Sequence, residues 1–149
     1  MKLQRVALII FYDTAGRILL QNRAGISTYG EKWGYFGGHI EEGETPKEAA
    51  VREVREELGL TLGQHEFVGV IENERYGDKV ERHIFLAPLP VPVSDLTVRE
   101  GAGCILVDFE RANQLKYYEK PGDNPTLKLV EPLVKARTGL KPAGEKESD

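Results

Sequence analysis

The chain has 149 residues, of which 40% are hydrophobic and 30% are charged, and its net charge is −4. This composition is typical of one globular domain with its own core, and the negative charge argues against a nucleic-acid polymer as partner. The single cysteine, Cys104, excludes an internal disulfide. The sequence shows no signal peptide and no apolar run near the ~20 residues that a membrane span needs. We therefore expect a cytoplasmic protein without membrane contact.

The first part of the chain predicts β-structure. Residues 6–11 and 17–21 are typical of two strands of a hairpin, and residues 33–36 of a short third strand. Residues 24–32 carry two glycines and are typical of a loop. Arg23 follows the second strand. It is either an exposed solubilising charge or a clamp for phosphate, whose oxygens match the fork of a guanidinium group.

A helix is predicted after the third strand, with clear signals at both ends. Thr45 is placed to cap it, Pro46 occupies the first helical position, and Glu48 completes a capping box with Thr45. Gly59 is placed to end the helix in a left-handed conformation. Three apolar residues share one face of this helix and are expected to pack inward: Ala50, Val54 and Leu58.

The opposite face of the same helix carries Glu53, Glu56 and Glu57, at spacings that place them together. Two like charges about 4 Å apart repel by about 4 kcal/mol near a protein surface, so this face needs a counter-charge. Carboxylates without cysteine or histidine beside them suit Mg²⁺ or Mn²⁺. The alternative is a solvated acidic helix face. Gly37 and Gly38 lie just before the helix and allow the backbone to approach a ligand closely.

The second half of the chain returns to strands and ends in a helix. Strands are predicted at 65–74, 79–86 and 103–108, an extended proline-rich connector at 87–94, and helices at 111–115 and 125–137. We expect the last helix to turn Leu129, Leu133 and Ala136 inward. Residues 141–149 are short, polar and charged, and we expect this tail to be disordered.

One stretch resembles the signature of the Nudix hydrolases at every fixed position. It reads Gly38, five residues, Glu44, seven residues, Arg52-Glu53-Val54, one residue, Glu56-Glu57, one residue, Gly59-Leu60. Such a match arises by chance in on the order of one window in 10⁹ to 10¹⁰ at ordinary amino-acid usage. The resemblance implies an α/β fold, a Nudix-type α/β/α sandwich with a mixed central sheet. It also implies one hydrolase domain over residues 1–140.

The resemblance also implies the chemistry of the acidic face. The family cleaves a diphosphate linked to another moiety, with a divalent cation held by the glutamates of this motif. Here the backbone carbonyl of Gly37 and the carboxylates of Glu53, Glu56 and Glu57 would hold Mg²⁺ or Mn²⁺. Glu100 precedes a glycine in a later loop, and is either an exposed charge or a fourth carboxylate at the metal site. These glutamates are also the candidate catalytic residues, and the sequence leaves the general base open between Glu53, Glu56 and Glu100.

Two residues of the motif are expected to support these ligands rather than bind the cation. Arg52 would neutralise the neighbouring glutamates and orient them. Glu44 would form a bond across the junction between the loop and the helix.

The sequence offers fewer signals for the residues that contact the substrate. Arg23, Gly38, His39 and Tyr76 are the candidate substrate contacts. His39 replaces a commoner lysine and either contacts phosphate or caps the turn. Phe36 stands where many members of the family have proline, which leaves the geometry on the phosphate side open.

The expected substrate is a nucleoside triphosphate, in some cases oxidised, that is cleaved to the monophosphate and diphosphate. Dinucleoside polyphosphates are the first alternative, and a non-catalytic, nucleotide-sensing domain is the second. An isoprenoid diphosphate isomerase of the same fold would need a catalytic cysteine before the motif, whereas Cys104 follows it. The sequence leaves the number of metal ions open, and allows either a monomer or a homodimer.

Overall fold

The computed structural model describes residues 2–27, 31–75, 77–115 and 124–140, the side chain of Arg75 excepted. Its strands are β1 (Leu3–Tyr12), β2 (Ile18–Asn22), β3 (Trp33–Gly34), β4 (Phe36–His39), β5 (Glu66–Arg75), β6 (Asp78–Pro88) and β7 (Cys104–Val107). Its helices are α1 (Pro46–Leu58), α2 (Phe109–Ala112) and α3 (Pro125–Thr138), and a 3-10 turn covers Val93–Asp95. The candidate substrate contact Tyr76 and the tail at 141–149 lie outside the described residues.

Strand β1 organises the sheet because it pairs with several other strands. Along one edge it pairs in parallel with β6, with Val6 opposite Arg82 and Leu8 opposite Ile84. Its other edge pairs antiparallel with β4 and, at Tyr12, with β2. The order is β3-β2-β1-β6-β5, with β4 beside β1 and β7 beside β2. This mixture of parallel and antiparallel pairs confirms the predicted mixed central sheet.

Alternate side chains of β1 face two separate cores, as the period of two along a strand requires. On one side, Ala7, Ile9 and Phe11 pack with the buried face of α1. On the other side, Ile10 and Ile84 pack with the buried residues of α2 and α3. The helices therefore cover both faces of the sheet, which confirms the predicted α/β/α layers.

Helix α1 begins and ends as the sequence predicts. The Thr45 hydroxyl accepts a hydrogen bond from the Glu48 N–H at 3.1 Å, and the Glu48 carboxylate accepts one from the Thr45 N–H at 3.0 Å. Gly59 ends the helix with φ +67°. The predicted inward residues Ala50, Val54 and Leu58 are all buried. One face of α1 is thus fixed on the sheet, which fixes the direction of the acidic face.

The strand predicted at 33–36 is in fact two strands with different partners. Trp33–Gly34 pairs with β2, whereas Phe36–His39 pairs with β1. Tyr35, between them, packs against the core on the α3 side, whereas Phe36 is buried in the core on the α1 side. The chain therefore crosses from one part of the sheet to another at Tyr35, and this crossing brings Gly37 and Gly38 beside α1.

The predicted inward face of the last helix is correct for two of its three residues and wrong for Ala136. In α3 the buried residues are Thr126, Leu127, Val130 and Val134. Leu129 and Leu133 are half-buried and pack against the same core, whereas Ala136 is exposed. Apolar residues occur on several sides of this helix, so the sequence pattern alone does not identify the side that is buried. Packing of the helix onto the sheet decides between them.

Smaller differences concern boundaries. Strand β6 continues to Pro88 and a 3-10 turn forms at Val93–Asp95, so the connector predicted at 87–94 is not uniformly extended. The short helix predicted at 111–115 lies at Phe109–Ala112, because the Asp108 side chain caps it by accepting a hydrogen bond from the Arg111 N–H at 2.8 Å. No helix among the described residues is long and apolar enough to cross a membrane.

Candidate functional site

A cavity of about 520 Å³ is lined by strands β1, β3, β4 and β6, by helix α1 and by Glu100 from a loop. Residues from both faces of the sheet line this cavity. Leu8 belongs to the face that packs towards α3, whereas Glu53 and Glu57 lie on α1, on the other side. The cavity therefore passes around β4, whose Gly37, Gly38 and His39 line it. This volume is in the range of small-molecule sites.

The four candidate glutamates, Glu53, Glu56, Glu57 and Glu100, all line this cavity. Glu57 is the most deeply placed, with 3% of its surface exposed. Its carboxylate accepts a hydrogen bond from the Gly37 N–H at 3.3 Å. Two segments that are far apart in the chain, the helix and the loop carrying Glu100, thus present carboxylates to the same space.

Glu57 is held in a setting that disfavours its charge. Burial raises its pKa, and the neighbouring Glu53 and Glu100 raise it further, while the Gly37 N–H acts in the opposite direction; the result is a pKa of about 9. A carboxylate in this position is stabilised as an anion when a cation enters the cavity.

Arg52 is the centre of a second group of carboxylates, which shares Glu53 and Glu56 with the cavity lining. Its guanidinium donates to both oxygens of Glu44 at 2.8 and 2.9 Å, to Glu53 at 2.9 Å and to Glu56 at 3.4 Å. It also donates to the His39 carbonyl at 3.0 Å. Hydrogen bonds from Arg52 lower the pKa of Glu44 to about 2, and those to Glu44 raise the pKa of Arg52. Glu44 and Arg52 therefore join the loop to the helix.

Gly37 and Gly38 both meet close contacts, but of different kinds. Gly37 has φ +138°, and a Cβ there would lie 2.0 Å from the Ala7 carbonyl oxygen. At Gly38, a Cβ would lie 2.5 Å from a carboxylate oxygen of Glu53. The first glycine therefore allows the strand pairing, and the second leaves space for a carboxylate of the site.

The loop that carries Glu100 is attached to two other elements. The Arg99 N–H donates to the Glu57 carbonyl at 2.8 Å, which attaches the loop to the end of α1. The side-chain amide of Gln21, on β2, donates to the Glu100 carbonyl at 3.2 Å. A Cβ at Gly101, which has φ +77°, would lie 2.2 Å from the Asn22 carbonyl oxygen. The position of Glu100 in the cavity therefore depends on tertiary contacts.

Arg23 lies in the cavity and is not an isolated surface charge. Its guanidinium donates to the Gln21 side-chain oxygen at 3.0 Å and lies 3.5 Å from a carboxylate oxygen of Glu31. Gln21 thus connects Arg23 to the Glu100 loop through its two side-chain atoms. His39 and Gly38 also line the cavity.

Several cavity residues were missed by sequence reasoning. Gln21, Glu31 and Arg82 are polar residues that the fold buries, and Glu31 and Arg82 line the cavity. The available signal was a polar residue inside a predicted strand: Gln21 at the end of the second strand and Arg82 in the middle of a later one. Such residues are rarely buried without a partner or a function.

The donor set fits a hard divalent cation, although the side chains are not yet gathered around one. In the part of the chain that the structure describes, no three histidine, cysteine or acidic groups are arranged to hold a metal as they stand. Arg52 holds one carboxylate oxygen of Glu53 and one of Glu56, while Glu53 also lies within hydrogen-bond reach of Glu57. Carboxylate oxygens are the ligands that Mg²⁺ and Mn²⁺ prefer.

Comparison with known proteins gives consistent results. The family model described as NUDIX domain matches residues 2–130. The CTP pyrophosphohydrolase of Escherichia coli (strain K12) is 33% identical over 132 residues, which cover 89% of this chain and 93% of that protein. The 8-oxo-dGTP diphosphatase of the same organism is 37% identical over 86 residues, which cover 58% of this chain and 64% of that protein.

Solved structures agree with the sequence relatives. The solution structure of the E. coli ORF135 protein superposes with a TM-score of 0.70 at 31% identity, over 92% of this chain and 94% of that one.

Proposed function

Since this chain belongs to the NUDIX family of pyrophosphohydrolases, we propose that it hydrolyses a nucleoside triphosphate, intact or oxidised, to the monophosphate and diphosphate. Enzymes of this family generally use divalent metal ions, and we propose Mg²⁺ or Mn²⁺ here. The main support is the cavity, in which four glutamates and Arg23 line one space. The relatives named as a CTP pyrophosphohydrolase and an 8-oxo-dGTP diphosphatase agree with a nucleotide substrate.

The residues that would hold the cation are the carboxylates of Glu53, Glu56, Glu57 and Glu100 and the backbone carbonyl of Gly37. A bound divalent cation neutralises diphosphate oxygens and makes a water more acidic. Glu57 suits the innermost position because it is buried and its pKa is raised.

The protein side chains would carry out the remaining steps. A carboxylate, that of Glu53, Glu56 or Glu100, accepts the proton of the attacking water. The water oxygen attacks phosphorus, and the bond to the leaving phosphate oxygen breaks. Arg23 binds the negative phosphate oxygens, for which its guanidinium fork is suited. Gly38 and His39 border the same part of the cavity.

Arg52 and Glu44 would act by holding the ligands in place. Arg52 contacts Glu44, Glu53 and Glu56 together. It therefore limits the positions that Glu53 and Glu56 adopt before the cation enters. Such outer contacts orient metal ligands and affect metal affinity. We also propose that residues 1–140 form one catalytic domain, in line with the match over residues 2–130.

A phosphate-release screen tests the proposal. The purified chain is incubated with nucleoside triphosphates, dinucleoside polyphosphates and nucleotide sugars, each with Mg²⁺, Mn²⁺ or EDTA. We expect monophosphate and diphosphate from the triphosphates with either cation and none with EDTA. Preferential cleavage of dinucleoside polyphosphates would change the substrate class. Tight nucleotide binding without turnover of any compound would identify a sensing domain and contradict the proposal.

A further inference from the structure

Gln21 lies beside the cavity at a fixed place in the sheet. It is part of β2, where it pairs with Gly34 of β3 on one side and with Cys104 of β7 on the other. Only 1% of its surface is exposed, and Gln21 is not among the described residues that line the cavity. A glutamine buried to this extent is uncommon and needs partners for both of its polar atoms. Gln21 is therefore placed to act on the site through other residues.

The side-chain amide of Gln21 binds two different residues of the site, one at each end. Its NH₂ group donates to the Glu100 carbonyl at 3.2 Å, and its oxygen accepts from the Arg23 guanidinium at 3.0 Å. The partners determine this orientation of the amide, because a backbone carbonyl only accepts hydrogen bonds and a guanidinium only donates them. One planar group on a paired strand thus connects two residues that both line the cavity.

Arg23 is held in the cavity on more than one side. Besides its bond to Gln21, its Nε lies 3.5 Å from a carboxylate oxygen of Glu31. A Cβ at Gly34 would lie 3.0 Å from the Cδ of Arg23, so the glycine leaves room for the arginine stem. The Arg23 side chain remains 25% exposed. These contacts therefore orient the guanidinium and still leave part of it open to the cavity.

The Glu100 loop is held by backbone hydrogen bonds on both sides of Glu100. Before it, the Arg99 N–H donates to the Glu57 carbonyl at 2.8 Å. After it, the Ala102 N–H donates to the Asn22 carbonyl at 3.0 Å. The amide described above reaches the carbonyl of Glu100 itself. Because the peptide unit is planar, fixing this carbonyl also restricts the direction of the attached residue and its carboxylate.

We propose that Gln21 is a positioning residue, which holds Arg23 and the Glu100 loop at a fixed separation beside the cavity. This inference rests on the function proposed above and deepens it. A phosphate bound by Arg23 then lies at a set distance from the Glu100 carboxylate, which serves there as metal ligand or base. Small displacements of such groups reduce the rate strongly. Gln21 itself contributes no atom to the reaction.

The test compares Gln21→Met and Gln21→Glu with the wild type in steady-state kinetics, on the nucleoside triphosphate that the wild type cleaves fastest. Met keeps the approximate shape and removes both hydrogen bonds. Glu keeps an acceptor for Arg23 and removes the donor to Glu100. Leu19→Met is the matched control, because it places the same side chain two residues earlier on the same face of β2, in the core. Thermal unfolding checks each variant, and Gln21→Glu serves if Gln21→Met fails to fold.

The two kinetic constants report on the two ends of the amide. Gln21→Met should lower kcat by roughly 10- to 100-fold, as loss of an outer contact to a metal ligand does. It should also raise KM by roughly 2- to 10-fold, the effect of one hydrogen bond to Arg23. Gln21→Glu should lower kcat similarly but leave KM nearer the wild-type value. Leu19→Met should change both constants by less than about twofold. Unchanged kcat in both Gln21 variants, or equal losses in Leu19→Met, would overturn the proposal.

Double variants show whether Gln21 acts through the two proposed partners. When Gln21→Met is added to Glu100→Gln, kcat should fall by less than about threefold further, because the contribution of Glu100 is already lost. When it is added to Arg23→Met, KM should rise by less than about twofold further. Losses in the double variants that equal the product of the single ones would show that Gln21 acts through neither partner and would contradict the proposal.

Hydrogen exchange separates this inference from the proposed hydrolysis, because it requires neither metal nor turnover. Mass spectrometry follows the amides of residues 99–103 in the metal-free protein. We expect roughly 2- to 10-fold faster exchange in both Gln21 variants and none in Leu19→Met. If the loop responds in this way and the wild type cleaves no triphosphate, the hydrolase proposal fails and the attachment of the loop by Gln21 stands. Cleavage with unchanged exchange and kinetics in the Gln21 variants gives the opposite conclusion.

Discussion

Two groups of carboxylates lie at helix α1 and the loops beside it, and they differ in how the protein treats their charge. In the Arg52 cluster, formed by Arg52 with Glu44, Glu53 and Glu56, the guanidinium contacts every carboxylate. In the Glu57 corner, formed by Gly37, Glu53, Glu57 and Glu100, the strongest influences on Glu57 among the described residues are burial, carboxylates and one backbone N–H. Glu53 belongs to both groups.

We infer that the difference separates a structural use of charge from a functional one. Glu44 has its counter-charge within the protein, so its pKa is lowered to about 2 and its contact joins loop to helix. Glu57 has its pKa raised to about 9, first because it is buried away from water and then because Glu53 and Glu100 add negative charge. A site of this second kind is destabilising by itself and gains stability from a bound cation. The predictions below test this contrast, from the largest expected effect to the smallest.

The largest effect is expected from removal of a charge in the Glu57 corner or at its border. Glu57→Gln or Glu56→Gln should lower kcat by about 10²- to 10⁴-fold, because in the proposed mechanism each residue would help to hold the cation that stabilises transition-state charge. Steady-state kinetics at saturating Mg²⁺ measures this, with circular dichroism as the check on folding. Glu42→Gln, at an exposed acidic residue outside the cavity lining, is the control. Near-normal turnover in both variants would remove the metal-site assignment.

Substitution by alanine should have different effects at Gly37 and at Gly38. Gly37→Ala forces a Cβ against the Ala7 carbonyl and should lower the free energy of unfolding by about 3 kcal/mol or more. Gly38→Ala instead displaces the Glu53 carboxylate, and should lower kcat/KM by about tenfold with the fold intact. Chemical denaturation and kinetics on both variants distinguish the two effects. Equal loss of stability in both would show that Gly38 is not specific to the site.

Replacement of Arg52 tests whether the Arg52 cluster positions ligands of the Glu57 corner. Arg52→Met should raise the Mg²⁺ concentration for half-maximal rate by about 10- to 100-fold, since Glu53 and Glu56 lose the group that orients them. Arg55→Met, three residues along the same helix, is the matched control and should change little. Titration of the rate with Mg²⁺ gives both values. An unchanged Mg²⁺ requirement in Arg52→Met would limit Arg52 to joining loop and helix.

Glu57→Gln should stabilise the metal-free protein, although the same substitution is expected to lower activity. Because the pKa of Glu57 is about 9 in the folded chain and ordinarily 4.5, folding favours the protonated acid and stability falls as pH rises between these values. Glu57→Gln should therefore raise the free energy of unfolding in EDTA at pH 7 by about 1–3 kcal/mol. Urea denaturation in EDTA at pH 4 and pH 7 measures it, and the gain should be absent at pH 4. A destabilised variant at pH 7 would show that Glu57 is already compensated.

The smallest effect concerns Glu44, and its pH dependence has the opposite sign. Its pKa is lowered from 4.5 to about 2 on folding, so its stabilising contribution is present above pH 4.5 and is lost as pH falls towards 2. Glu44→Gln should be slightly less stable than the wild type at pH 7, and the difference should shrink to nothing near pH 2. Urea midpoints across this range test the trend. A stability difference between Glu44→Gln and the wild type that persists at pH 2 would mean that the substitution acts through packing and not through charge.

The accuracy of the predictions varied with the range of the interactions involved. The capping box of Thr45 and Glu48, the glycine end at Gly59 and the buried face with Val54 were all confirmed, because each depends on residues within a few positions of one another. The face of α3 was predicted only in part: Leu129 and Leu133 pack against the core, but the most buried side carries Val130 and Val134, because several sides of this helix are apolar. The division of 33–36 into two strands also depended on distant partners.

Local order along the chain was sufficient to predict α1, its acidic face and the residue types that suit a hard cation, since i, i+3 and i+4 neighbours share a face whatever surrounds the helix. Tertiary structure alone decided that Glu100 enters the same cavity, that Gln21 links it to Arg23, and that Arg82 lies buried at the cavity wall. These placements arise from contacts between segments far apart in the chain, and the burial that shifts the pKa of Glu57 exists only when those segments are packed together.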